Sequence, residues 1–123
     1  MITVAPVNDK SEVNKLFEGV GRQADEYAGC VKASDGADTL GFCLYELYEK
    51  GITVVYITPK EDLPLADGTL RATLHVAASR SAMDARYEGA DNEILFEKLG
   101  FILDKAQKKL DIDKLFRGCG CRE

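Results

Sequence analysis

The chain has 123 residues, 46% of them hydrophobic, and a net charge of −5 with acidic and basic side chains interleaved. That size fits one domain around one core, here residues 1–123. No apolar run reaches the roughly 20 residues of a membrane-spanning helix, and no basic face suggests nucleic-acid binding. The expectation is a soluble, cytoplasmic protein with neither membrane nor nucleic acid as partner.

Met1–Val7 is apolar but short and lacks a basic start, so it reads as a first strand rather than a signal peptide. Asp9 followed by Glu12 resembles a capping box, and Val13, Leu16, Phe17 and Val20 then fall on one helical face before Gly21. Residues 26–33 and 39–48 read as strands joined through Ser34-Asp35-Gly36-Ala37, a hairpin signal because glycine accepts positive φ. After Glu49-Lys50-Gly51, the β-branched run 52–57 predicts a third strand, with Val54, Val55 and Ile57 suggesting a central one covered on both faces. These three form an antiparallel meander.

Pro59 to Pro64 reads as an acidic loop and Asp67 as the cap of a second helix, its apolar stripe carried by Leu70, Leu74, Ala77 and Ala78. Residues 86–89 fit either a short edge strand or a loop. A helix over 92–99 ends at Gly100, a strand starts at Phe101, and alternation over 110–116 predicts a last strand after a turn at 106–109. That strand, if at an edge, would permit a homodimer by sheet extension. The class is α+β, a mostly antiparallel sheet flanked by helices.

Cys30 and Cys43 lie in apolar runs and read as small buried hydrophobes. Cys119 and Cys121 form a C-x-C tail, which could share a soft metal or be a frayed, reduced end. A closed zinc site needs four ligands, and the single histidine, His75, is read as structural, so no metal site is assigned.

Leu95-Phe96-Glu97-Lys98-Leu99-Gly100-Phe101 resembles the "LYEKLGF" signature of GNAT-superfamily N-acetyltransferases, and the element order matches that family along nearly the whole chain. The resemblance implies a GNAT-like acyl-CoA N-acyltransferase fold. It also implies acetyl-CoA as cofactor and transfer of the acyl group to a small amine. Pantetheine would lie along the backbone of Tyr56, Ile57 and Thr58. The family's Arg/Gln-x-x-Gly-x-Gly/Ala motif falls on residues 65–70, so pyrophosphate would rest on Asp67, Gly68, Thr69 and Leu70 at a helix start. Leu65 and Leu70 depart from that motif, and Phe96 stands where the family tyrosine protonates the leaving thiolate. Tyr45, Tyr48, Tyr56 or Tyr87 could supply a hydroxyl instead. Glu46, Glu49, Glu61 and Asp62 are carboxylates that could serve as base. Glu46 is preferred because it interrupts an apolar run, sharing a strand face with Leu44. The alternative is a non-catalytic domain of the same fold that binds another ligand or a protein.

Overall fold

A computed structural model describes residues 1–117. Seven strands form one sheet in the order β1-β2-β3-β4-β5-β7-β6. The strands are β1 (Ile2–Pro6), β2 (Ala28–Asp35), β3 (Asp38–Leu47), β4 (Gly51–Thr58), β5 (Asp84–Tyr87), β6 (Ile102–Asp104) and β7 (Lys109–Leu110). The helices are α1 (Lys10–Gly19), α2 (Leu63–Ala78), α3 (Ala90–Leu99) and α4 (Lys114–Arg117). The expected meander is present, extended by β1, and every pairing is antiparallel except that of β4 with β5.

Alternation along the strands divides the core between two faces. Val31, Cys43, Tyr45, Val54 and Ile57 meet α2 and α3 on one face; Cys30, Leu44 and Val55 meet Val13 and Phe17 of α1 on the other. β4 is thus central and covered on both sides. Asp9 caps α1, its carboxylate accepting from the Ser11 amide at 2.9 Å. Gly100 closes α3 with φ +77°, a left-handed turn that a side chain would strain.

Three expectations are corrected. Helix α2 begins at Leu63, capped by Asp62 rather than by Asp67. Pro64 fits that early start, because a first-turn amide has no helical partner to lose. The segment 84–87 is an interior strand between β4 and β7, not an edge. The strand expected over 110–116 is cut short. β7 ends at Leu110, and Lys114 turns into α4, its ammonium donating to the Leu99 and Gly100 carbonyls at the end of α3. Since β7 lies between β5 and β6, the sheet edges are β1 and β6, and dimerisation through 110–116 loses its basis. Among the described residues no helix is long and apolar enough to cross a membrane.

Candidate functional site

The site begins with a defect in β4. Leu44 pairs with Tyr56 and Tyr45 with Val54, so Val55 is a bulge without a partner in β3. A bulge bends its strand and redirects backbone groups. On the other side, β5 follows β4 only from Gly51 to Val54 before the strands part. The last rung is the Glu88 amide donating to the Val54 carbonyl at 3.1 Å. Beyond it opens a recess of about 250 Å³ lined by Val55, Tyr56, Lys60 and the Gly89–Asn92 start of α3. A second recess of about 180 Å³ continues along α3 between Lys60, Asp91, Ile94, Leu95 and Lys98.

Two side chains occupy the parted edge of β4. Asn92, only 4% exposed, donates from Nδ2 to the Val55 carbonyl at 3.0 Å and to the Glu88 carbonyl at 2.8 Å. Lys60 donates to the Ile57 carbonyl at 2.6 Å, and its ammonium lies 4.3 Å from the centroid of the Tyr56 ring. Burial pushes the Lys60 pKa below the ordinary lysine value, while Asp91 and Glu61 oppose that shift. Neither Asn92 nor Lys60 belongs to a motif in the sequence; their importance depends on the bulge at Val55.

Of the residues expected along pantetheine, Tyr56 lines the recess, Ile57 is fully buried, and Thr58 pairs with Phe42 of β3. The earlier start of α2 changes the setting of the phosphate residues. Asp67, Gly68, Thr69 and Leu70 lie in its second turn, where amides serve the helical ladder. Thr69 and Leu70 are fully buried, and Asp67 pairs with Arg71 at 2.8 Å. Gly68 is exposed, and among the described residues nothing lies within 4 Å of a Cβ placed on it. At the true helix start the Asp62 carboxylate accepts from the Leu65 amide at 3.2 Å, the Ala66 amide bonds the Asp62 carbonyl, and Pro64 has no amide hydrogen.

Glu46 lies on the α1 face of the sheet, as its alternation with Leu44 implies. Tyr48 donates to it at 2.8 Å, and the Arg22 guanidinium stands 3.7 Å away while also bonding Glu88. Arg22 therefore ties the loop after α1 to both β3 and the end of β5. Hydrogen bonding to Glu46, then burial, pushes the Tyr48 hydroxyl up to about 12. Phe96 is fully buried and packs edge-on against Tyr87, ring centroids 5.7 Å apart. Tyr45 and Tyr87 are likewise buried in the core on the α2 side, leaving Tyr56 as the tyrosine among those four that lines the recess.

His75 is exposed on α2, and among the described residues no group of three or more metal-ligating side chains is found. Cys119 and Cys121 lie outside the described residues.

No protein-family model matches the chain, and no curated protein matches it in sequence. Solved structures do match its fold. A ribosomal-protein-alanine N-acetyltransferase from Brucella melitensis biovar Abortus 2308 aligns with TM-score 0.61 at 14% identity, over 80% of this chain and 90% of that one. An acetyltransferase of the GNAT family from Desulfovibrio desulfuricans aligns with TM-score 0.62 at 15% identity, over 85% and 87%. A mutant AtaT toxin bound to the C-terminus of the antitoxin AtaR aligns with TM-score 0.61 at 13% identity, over 95% and 98%. The chain therefore has the fold of the GNAT N-acetyltransferases.

Proposed function

We propose that this protein binds acetyl-CoA or a related acyl-CoA in the cleft between β4 and β5 and transfers the acyl group to a small amine. The observation that carries this reading is the parting of the two parallel strands after Val54, next to the bulge at Val55. It leaves a backbone edge against which an extended amide chain can lie. Pantetheine would run along Tyr56–Thr58 and displace the Lys60 ammonium from the Ile57 carbonyl. The diphosphate would then meet Lys60 and Lys98 at the second recess, whereas Gly68 lines a groove on the other side of the 59–62 loop. Thr69 and Leu70 hold α2 against the sheet, and Asp67 is neutralised by Arg71.

Chemistry in such a site is direct attack. The neutral amine nitrogen bonds to the thioester carbonyl carbon, the C–S bond breaks, and the CoA thiolate departs. Glu46 is the proposed acceptor of the amine proton, because it shares the α1 face with Val55 and Tyr56. Phe96 has no hydroxyl, so the Tyr56 hydroxyl or solvent water returns a proton to the thiolate. The proposed setting is the cytoplasm, where acyl-CoA is available.

Specific observations favour a second reading, a non-catalytic domain that binds another ligand or a protein. The Val55 and Ile57 carbonyls already have partners, and Asp62 occupies the helix start that would otherwise receive phosphate. Among the fold neighbours, the AtaT toxin is seen with the antitoxin C-terminus alone and also with acetyl-CoA.

Thermal denaturation with and without acetyl-CoA separates the two. Ligand at about 100 times its dissociation constant stabilises a protein by roughly 2.7 kcal/mol, a shift of several degrees for a domain of this size. A shift with acetyl-CoA and CoA, absent with ATP, supports acyl-CoA binding and leads to a screen of amine acceptors. No shift at millimolar ligand supports the non-catalytic reading.

A further inference from the structure

The β4/β5 cleft is not the only concavity among the described residues, and a larger one lies elsewhere. It is a groove of about 790 Å³ on the α2 face of the sheet, between the first strand and the start of α2. Its walls include Ile2 of β1, Leu40 of β3, and Pro64 and Leu65 of α2. Ile2 is 55% exposed and Leu40 37%, so apolar surface stays in water at a place shaped to cover a ligand. The loop 59–62 separates this groove from the cleft: Pro59, Glu61 and Asp62 line one, Lys60 the other.

Charge makes the groove selective. Glu61 and Asp62 line it, and among the described residues no cation does. The basic side chains that flank these lining residues in sequence are engaged elsewhere. Lys60 turns to the Ile57 carbonyl and the Tyr56 ring, and Arg71 pairs with Asp67 and stacks 5.1 Å from the centroid of Phe101. One Glu61 oxygen accepts from the Lys60 amide and one Asp62 oxygen from the Leu65 amide, which leaves acceptor capacity on both carboxylates. An apolar ligand without charge would gain nothing from that rim, and an anion would be repelled by it.

From this combination we infer that the groove is a second binding site, for a primary amine carrying an apolar body of alkyl-chain size. The ammonium sits between Glu61 and Asp62, and the chain lies over Leu40, Pro64 and Leu65. The site is separate from the acyl-CoA cleft, and its test involves no acyl-CoA.

The experiment is a titration of the full chain with n-octylamine, followed by amide and methyl NMR shifts and by calorimetry, with n-octanol and octanoate as controls. The expected result is saturable binding of octylamine with shifts at Ile2, Leu40 and Leu65, weaker binding of octanol, and none of octanoate. Glu61→Gln lowers affinity about three- to fivefold, the effect of one partly exposed ion pair. Leu40→Lys, at an exposed position, places a cation in the groove and abolishes binding while the spectrum of the free protein stays folded. Equal affinity for octylamine and octanol overturns the inference, since it reduces the groove to apolar surface. So does the absence of octylamine binding at millimolar concentration, or shifts confined to the β4/β5 cleft. A peptide of alternating leucine and lysine that binds where octylamine does not would also overturn it, and would mark the groove as a protein-docking face.

Discussion

The side-chain amide of Asn92 spans the point where β4 and β5 part, its Nδ2 lying 3.0 Å from the Val55 carbonyl and 2.8 Å from that of Glu88. Its Oδ1 is buried and has no hydrogen-bond partner among the described residues. Both carbonyls belong to strand ends that no longer pair with each other, so one side chain does the work of a missing rung. The width of the cleft is thereby set from α3, the helix that also forms its floor.

Asn92→Ala would leave two backbone acceptors without that donor. A buried polar group deprived of its partner costs about 1–3 kcal/mol, so the variant is expected to lose roughly that much stability. Chemical denaturation measures the loss. Faster amide exchange confined to the end of β5 and the start of α3 would locate it, whereas exchange raised uniformly across the sheet would argue against a local tie.

The two aromatic positions near the cleft should respond in opposite ways. Phe96 is fully buried against Tyr87, so Phe96→Tyr places a hydroxyl in the core instead of in the cleft. It is expected to destabilise the fold by about 1–3 kcal/mol, the cost of an unpaired polar group, with no gain in acetyl transfer. Tyr56→Phe, at the residue lining the recess, is expected to lower the turnover rate about 100-fold if its hydroxyl protonates the thiolate, with stability nearly unchanged. Steady-state kinetics with one amine acceptor, beside thermal melts, would reveal both effects. Equal rates for Tyr56→Phe and the parent protein would assign the proton to solvent.

Much of this architecture is written locally. The α1 cap at Asp9, the Asp35-Gly36 hairpin and the Gly100 terminus each depend on a few adjacent residues, and all three are legible in the sequence. The start of α2 was obscured because Asp62 and Asp67 are both plausible caps. Pro64, two residues after Asp62, is the signal that distinguishes them. The interior place of β5 is not legible, since a parallel partner is chosen by contacts far along the chain and the strand spans only Asp84–Tyr87. The roles of Asn92 and Lys60 depend on the bulge at Val55, which appears only once β3 and β4 are in register.

Gly100 joins two links in one position. Its φ of +77° is costly for any residue with a side chain, and a Cβ there would lie 2.9 Å from the Lys114 ammonium that bonds the Leu99 and Gly100 carbonyls. Gly100→Ala is expected to cost about 1–2 kcal/mol from the left-handed backbone alone. Displacement of Lys114 would add to this by loosening α4. Lys114→Met tests the second part: if the capping bonds matter, combining the two substitutions should cost less than the sum of the single effects, as read by urea denaturation.

Stability should also decline at high pH, and Tyr87 supplies part of the slope. Burial, then the hydrogen bond its hydroxyl donates to Glu93 at 2.5 Å, pushes its pKa up from 10.0 to about 12. The unfolded chain therefore releases this proton first. Between pH 10 and 12 the unfolded state binds fewer protons than the native one, so the free energy of unfolding falls as pH rises. Below pH 10 the contribution is fully present. Tyr48, Cys30 and Cys43, each raised to about 12, act in the same direction, the two thiols through burial. Tyr87→Phe should lower stability at pH 8 by removing the bond to Glu93, yet make the decline above pH 10 shallower, which a denaturation series from pH 8 to 12 would measure. An unchanged slope would mean that the Tyr87 proton is held no more tightly in the folded protein than in the unfolded chain.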